Sequence, residues 1–227
     1  MKTILNLLII VGISFSAFAQ SEEKLEDKLS DVAQVLTEMQ ELPEQKVPAA
    51  ILNRAEGIMI IPNVIKGGLV VGGRHGKGVA MVKNDDGEWS NPIFVNITGG
   101  SVGWQIGAQS TDVILVFKSS DKLKDFKKSE FTLGADAAVA AGPVGRQVGA
   151  ATDITFDAEV YSYSRSRGVF AGISLEGSSI KLNENANETF YGEKLSPEKI
   201  YFNQELKTGA RVSQIKVKLA NMENEVK

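Results

Sequence analysis

The sequence predicts an α+β protein in which N-terminal helices cover a strongly bent antiparallel sheet or a partly closed barrel. Two observations predict this class. Residues 21–40 carry apolar side chains at helical spacing, and twenty of the 22 glycines lie between Gly57 and Gly192, among short runs rich in Val, Ile, Phe and Thr. Short strands joined by tight turns explain the second pattern better than helices do. The glycines would permit the tight bends of such a sheet.

The composition is that of an ordinary globular protein, with 227 residues, 43% hydrophobic and 23% charged. A formal net charge of −3 gives no overall attraction to nucleic acid, so no nucleic-acid partner is expected. The chain has no Cys and a single His, His75, which excludes thiol chemistry and Cys-based metal sites and leaves little for His-based catalysis. The acidic segment around Asp86 lacks the alternating spacing and Gly position of a calcium loop, and residues 183–188 have the alternation without the glycine or the final bidentate Glu. We therefore expect no enzyme, no metal and no cofactor.

Residues 1–19 have the layout of a cleaved signal peptide. Lys2 precedes an apolar run from Ile4 to Phe18, and small residues stand at Ala17 and Ala19. This order is typical of secretory signals, whereas a membrane anchor needs about 20 consecutive apolar residues. The sequence therefore predicts an exported protein of residues 20–227, located in the periplasm or associated with the cell envelope.

The helices are predicted from periodicity and from helix-breaking residues. Apolar spacings of 4, 3, 4 and 3 indicate an amphipathic helix over 21–40, for which core packing is the commoner use and membrane or partner contact the alternative. Pro48 favours a second helix over 49–56. Ser120 is a candidate N-cap for a helix that buries Leu123 and Phe126, and Ser196 opens another helix. The tail 204–227 is charged and poorly patterned.

The remaining chain divides into strands and three segments. Asp86-Gly87 supports a hairpin between Met81 and Pro92. The candidate strands are 58–61, 69–72, 78–83, 93–98, 112–118, 154–164, 168–175 and 177–182. We expect a signal peptide over 1–19, a domain over 20–192 with helices in 21–56 and a glycine-rich β core in 57–192, and a charged C-terminal helix or tail over 193–227.

A hydrolase motif and a phosphate-loop motif are both incomplete. Gly99–Gly103 matches the G-x-S-x-G nucleophile elbow around Ser101, but His75 lies upstream, whereas that fold needs a His downstream of the Ser. The segment Gly72–Gly78 departs from the P-loop in spacing and lacks its final hydroxyl residue. A hydrolase centred on Ser101 therefore stays a third, minor alternative.

Five basic residues are the candidate binding residues. The segment Gly72–Gly78 predicts a glycine-rich turn that presents basic side chains near Lys66, suited to an anionic head group; a solvated hairpin tip is the alternative. In Tyr161–Gly168 strand alternation places two arginines on one face with Tyr161 and Tyr163, which suits phosphate recognition; a charged, protected sheet edge is the alternative. The candidate head-group residues are Lys66, Arg74, Lys77, Arg165 and Arg167.

The order of several segments resembles the SYLF domain, a lipid-binding domain that in fungal members is also known as an actin-regulator domain. The similarity runs from about Leu36 to Gly192. The segments that carry it are AEGIMIIP (55–62), GGLVVGGRHGKGVAMV (67–82), GEWSNPIFV (87–95), GGSVGWQIGAQSTDVILVF (99–117), YSYSRSRGVFAGISLEG (161–177) and FYG (190–192).

The resemblance implies a non-enzymatic domain that binds acidic phospholipids, such as phosphatidic acid or phosphoinositides, in an exported bacterial member. Anionic phospholipid or a membrane surface is therefore the expected partner, at the bacterial cell envelope. Actin, which fungal members bind, is not expected as a partner of an exported bacterial protein. The alternative function is an envelope structural or interaction protein that docks an unknown protein partner through its sheet edge or first helix, without a lipid role.

Overall fold

The computed structural model describes residues 2–41, 46–68, 71–102, 107–124, 126, 130–143, 158–166, 169–170, 175–206 and 208–224. Within these ranges only the backbone is described for residues 2–20, 68, 71, 101–102, 107–108, 166 and 169–170. The helices are α1 (Lys2–Glu41), α2 (Ala49–Arg54), α3 (Asp121–Lys124), α4 (Glu184–Tyr191), α5 (Pro197–Phe202) and α6 (Ala210–Asn224). The strands are β1 (Gly57–Gly68), β2 (Val71–Val82), β3 (Ile93–Val102), β4 (Gly107–Phe117), β5 (Glu130–Thr132), β6 (Val139–Ala141), β7 (Val160–Ser166), β8 (Val169–Phe170) and β9 (Ser178–Leu182).

The described strands form one strongly curled sheet in the order β5-β9-β3-β2-β1-β4-β7-β6, with β8 paired to β7. All neighbours are antiparallel except β6 and β7, which run parallel. Helix α1 packs against the sheet. The predicted fold class, a bent antiparallel sheet covered by an N-terminal helix, is therefore confirmed.

The sheet is apolar on both faces because its central strands are buried on both sides. On one face, here called the α1 face, Ile58 and Ile60 pack in a cluster with α1, α2 and α6. On the opposite face, Met59 and Ile61 pack in a second cluster with residues of α3 and α5. Continuous apolar runs such as IMII at 58–61 follow from this two-sided burial, since a strand alternates its side chains between faces.

A β-bulge in β1 sets the register of the sheet. Ile60 pairs with Val79 and Ile65 pairs with His75, so β1 carries one more residue than β2 between these pairs. Asn63 lies in the bulge with φ of 53°, a left-handed conformation that Asn tolerates better than most residues, and its N–H donates to Asp112 Oδ1 at 2.9 Å. Bulges of this kind bend and twist a strand.

Several predicted turns and strand ends are wrong. The strand predicted to close at Pro62 continues through the bulge to Gly68, and the predicted turn Gly72–Gly78 lies inside β2. The physical reason is that Gly73 pairs with Gly67 of β1 and Gly100 of β3, so these glycines serve extended backbone. Positive φ values among the described glycines occur elsewhere, including 81° at Gly87, where the predicted hairpin is confirmed.

The predicted helix starts at Ser120 and Ser196 are confirmed. Ser120 precedes α3 with Leu123 and Phe126 buried, and the Ser196 side chain accepts from the Lys199 N–H at the start of α5. The poorly patterned tail, in contrast, contains α6. Its buried side chains, spaced 3, 4 and 3 residues apart, join the cluster of the α1 face and are Val212, Ile215, Leu219 and Met222. Across the residues whose side chains are described, no helix has the length and apolarity that a membrane span requires.

Candidate functional site

Lys66 and Arg74 lie side by side on neighbouring strands. They are direct register partners of β1 and β2, and Lys66 also pairs with Gln109 of β4. Directly opposed residues of an antiparallel pair share a face, with Cβ atoms about 5 Å apart. Val64 is buried in the apolar cluster on the face away from α1. Lys66 is two residues further along β1, so strand alternation places it on the same face as Val64, beyond the end of that cluster. The structure thus brings two of the five candidate cations together.

Arg74 is held in a partly buried position. Its guanidinium Nη2 donates to the Gly100 carbonyl oxygen at 3.0 Å, and its Cδ lies beside Gly99. Burial lowers the pKa of Arg74 because it removes water from the charged group, although the residue stays protonated near neutral pH. An anion at this point would regain part of the lost solvation. Among the described residues, Lys66 has no ion-pair partner.

Lys77 lies apart from this pair. Strand β2 pairs with β3 without a register shift, so Lys77 shares the α1 face with Val79, whereas Arg74 shares the other face with Ala80. Lys77 and His75 are both exposed. The prediction that the basic side chains of Gly72–Gly78 group at one turn tip is therefore wrong, because the extended strand places Arg74 on one face and both His75 and Lys77 on the other.

Arg165 lies on the α1 face, as strand alternation with Tyr161 and Tyr163 predicts. Its guanidinium forms ion pairs with Glu38 of α1 and with Asp112 of β4, the latter at 3.3 Å. The side chain is only 12% exposed. An incoming phosphate would have to displace two carboxylates, so the geometry gives Arg165 a structural role between α1 and the sheet. Arg167 lies outside the described residues.

The carboxylates around Arg165 compete for its charge. Burial raises the pKa of Asp112, while the hydrogen bond from the Asn63 N–H acts in the opposite direction. An ion pair with Arg165 would ordinarily lower the pKa, but this guanidinium is shared with Glu38. A cavity of about 210 Å³ lies beside these groups, between α1 and the bulge of β1. Asp31 and Gln34 of α1 also line it.

Ser101 does not lie on a strand-to-helix turn. It belongs to β3, which continues to Val102, and it pairs with Gly72 of β2. A G-x-S-x-G nucleophile elbow needs such a turn to expose its serine, so the position of Ser101 within a strand does not support the hydrolase alternative. Among the described residues no group of His, Asp and Glu is arranged to hold a metal ion.

Sequence reasoning missed Gln109 and the two carboxylates that hold Arg165. Gln109 joins Lys66 and Arg74 only through the strand register, which depends on the β1 bulge. Glu38 and Arg165 are separated by most of the domain along the chain. A single sequence does not indicate that Gln109 lies beside Lys66 or that Glu38 lies beside Arg165. The one indirect sign is that Glu38, a charged residue, borders the buried side of a helix, where a charge usually has a partner.

The class defined by this architecture is an α+β domain with one curled sheet and a pair of adjacent cations at its end. Comparison with known proteins then identifies its family. Residues 98–221 match the family model Ysc84, described as "Las17-binding protein actin regulator". The chain belongs to this Ysc84 (SYLF) family, which confirms the resemblance found in the sequence.

Several eukaryotic proteins are similar to the chain. LAS seventeen-binding protein 3 of Saccharomyces cerevisiae is 39% identical over 155 residues, which cover 66% of this chain and 33% of that protein. SH3 domain-containing YSC84-like protein 1 of Homo sapiens is 34% identical over 173 residues, covering 74% of this chain and 50% of that protein. The matched regions thus span about a third to a half of these relatives, and the description of the family model links the family to actin-regulating binding proteins.

Proposed function

We propose that this protein binds anionic phospholipid head groups at the bacterial cell envelope, without catalysing a reaction, after export directed by residues 1–19. The observation that supports the proposal is the pairing of Lys66 with Arg74 across β1 and β2. A guanidinium binds phosphate oxygens in a fork, and a neighbouring ammonium adds a compact positive charge. Two such groups on one face suit a single phosphate.

The burial of α1 limits the ways in which the protein could contact a membrane or a protein partner. Most of the apolar stripe of the first helix, including Leu29, Leu36 and Met39, is buried in the core, and Leu25 packs partly buried against it. In this packed state the buried side chains of the stripe are not available to insert into a membrane or to dock a partner. Exposed charge is then the main means of membrane contact, and such contact weakens as salt screens it.

A second candidate function is docking of a protein partner through a sheet edge. It is favoured by the names of the yeast relatives, which describe binding to another protein. For this chain the partner would be another protein of the cell envelope, because the predicted export would separate it from actin and from Las17. This candidate predicts binding that changes little with salt.

The test is flotation of residues 20–227 with lipid vesicles. We expect flotation with vesicles that contain phosphatidic acid, phosphatidylglycerol or cardiolipin, no flotation with neutral vesicles, and loss of binding at high salt. Substituting Lys66→Gln together with Arg74→Gln should lower the apparent affinity at least about tenfold, since each basic residue near an anionic surface contributes about 1 kcal/mol.

A matched control removes the same charge elsewhere. Lys122→Gln with Lys199→Gln changes two exposed lysines on α3 and α5 and should leave flotation unchanged. Circular dichroism of both double variants checks that they fold. An equal loss of affinity in the two double variants would mean that only net charge matters and not the Lys66–Arg74 site. Absence of flotation with every anionic vesicle would contradict the lipid function and favour the protein partner.

A further inference from the structure

The Lys66–Arg74 pair belongs to a row of positions that crosses five strands on the opposite face. Gln109 pairs with Lys66, Lys66 with Arg74, Arg74 with Gly99, and Gly99 with Ser178 of β9. Directly opposed residues in antiparallel strands point to the same side of the sheet. Ser178 therefore lies in the same row as the two cations, with only a glycine between it and Arg74.

Ser178 is a buried hydroxyl without a hydrogen-bond partner among the described residues. It is 0% exposed, and its Oγ makes no hydrogen bond. A Cβ built on Gly99 would lie 3.0 Å from Ser178 Oγ and 3.4 Å from Arg74 Cδ, so both side chains flank the same glycine. Buried hydroxyls are nearly always hydrogen-bonded, and an unpaired one marks a position that a ligand oxygen can satisfy.

The layer directly beneath this row is closed. Gly76 lies two residues along β2 from Arg74, and a Cβ there would be 2.9 Å from the Cγ2 atoms of Ile61 and Val64 and 3.1 Å from that of Ile97. These three side chains belong to the tightly packed cluster of the opposite face. Where a methyl group cannot be added without displacing its neighbours, a fatty acyl chain cannot pass between these side chains.

We infer that Lys66, Arg74 and Ser178 hold only the phosphate of a phospholipid head group, with the acyl chains left outside the protein. The inference rests on the proposed lipid function and adds to it a binding residue and a mode of action. In this mode the protein binds head groups at the surface of a membrane and does not extract lipid from it. Arg74 and Lys66 supply charge, and the Ser178 hydroxyl donates to a phosphate oxygen.

Two water-soluble probes test this mode in the full chain by titration calorimetry. The probes are glycerol 3-phosphate and dihexanoyl phosphatidic acid, which share a phosphate monoester and differ in acyl chains. The Lys66→Gln, Arg74→Gln variant provides the background, since it carries the same N-terminal segment. A site limited to the phosphate predicts dissociation constants within about threefold of each other, because no methylene leaves water. Burial of only four methylenes would favour the acylated probe by roughly 200-fold.

Ser178→Ala tests the hydroxyl. We expect it to weaken both probes about fivefold, the effect of one typical hydrogen bond, with unchanged thermal stability. Ser179→Ala is the matched control, because Ser179 is the next residue and its hydroxyl donates to Glu130 instead. Unchanged affinity in Ser178→Ala would remove Ser178 from the site.

The outcomes separate this inference from the proposed function. A strong preference for the acylated probe, or transfer of lipid between vesicles by the protein, would overturn the surface mode while leaving lipid binding intact. A chain that floats with anionic vesicles but does not bind glycerol 3-phosphate at millimolar concentration would also overturn it. Absence of both flotation and probe binding would instead contradict the proposed function itself.

Discussion

Arg165 joins three elements through one side chain. Its guanidinium lies between Glu38 of α1 and Asp112 of β4, while Arg165 itself belongs to β7. Asp112 also accepts from the Asn63 N–H in the β1 bulge, so the network reaches the strand that sets the sheet register. A partly buried guanidinium that pairs with two carboxylates stabilises the fold mainly because, without it, both carboxylates would be partly buried with no counter-charge.

Replacing Arg165 by Met should therefore destabilise the protein by about 2 to 3 kcal/mol, because two carboxylates would be left partly buried without their cation. The value is below the full cost of breaking a buried pair, since Glu38 keeps 27% exposure and retains some water. Urea unfolding at neutral pH measures the difference. Lys77→Met is the matched control, an exposed cation on the same face, and should change stability by less than about 0.5 kcal/mol. Equal effects in the two variants would contradict the structural role.

At the scale of elements, α1 and α6 form a parallel helix pair on the sheet. Glu26 lies beside Gly209 near the start of α6, and the Lys218 ammonium donates to Thr37 Oγ1 at 2.6 Å, so the two helices run in the same direction. Helix α6 also contacts the loop before β3, since Lys216 Nζ donates to Asn91 Oδ1 at 3.0 Å. The C-terminal helix therefore completes the core of the α1 face.

Leu219→Ala tests this role of α6. Leu219 is fully buried in the cluster with α1, so its truncation should cost about 3 kcal/mol from lost apolar contact and an unfilled cavity. Val217→Ala lies two residues away and is the control, because Val217 is 58% exposed and its truncation should cost less than about 0.5 kcal/mol. Chemical denaturation followed by circular dichroism gives both values. A small effect in Leu219→Ala would show that α6 detaches from the domain in solution.

The sequence predicts elements whose signals are local and fails where partners are distant. Ser196 as a helix cap and Gly87 as a hairpin glycine act on residues within one turn, and both are confirmed. The glycines of β2 misled because glycine is compatible with extended strands as well as with turns, and the choice depends on neighbouring strands. The alignment of Lys66 with Arg74 depends on a one-residue bulge, which no local pattern in β1 reveals.

At the scale of the whole molecule, one sheet separates two apolar clusters. Val79 faces the cluster with α1, and the next residue, Ala80, faces the other cluster. Both clusters are therefore built on the same strands, and neither can form without them. This shared wall predicts that the described domain unfolds as one cooperative unit. Among the glycines that the structure describes, Gly78 of β2 is the one at which an added Cβ would come nearest to backbone atoms, those of Ile60 and Ile61 at the β1 bulge.

Gly78→Ala should accordingly disrupt the whole domain. An added Cβ would lie 2.1 Å from the Ile60 carbonyl oxygen and 2.7 Å from Ile61 Cα, and these are backbone atoms that cannot move away as a side chain can. Relief of this contact requires β1 and β2 to separate at the bulge, which opens both clusters, and we expect a loss above about 4 kcal/mol or failure to fold. Gly73→Ala, on the same strand, is the control, because its Cβ would meet its nearest neighbour at 3.8 Å. Soluble expression and thermal unfolding compare the two variants. A Gly78→Ala protein that melts with wild-type cooperativity would show that the strands do not approach so closely. Loss of both clusters in a single transition supports one shared wall.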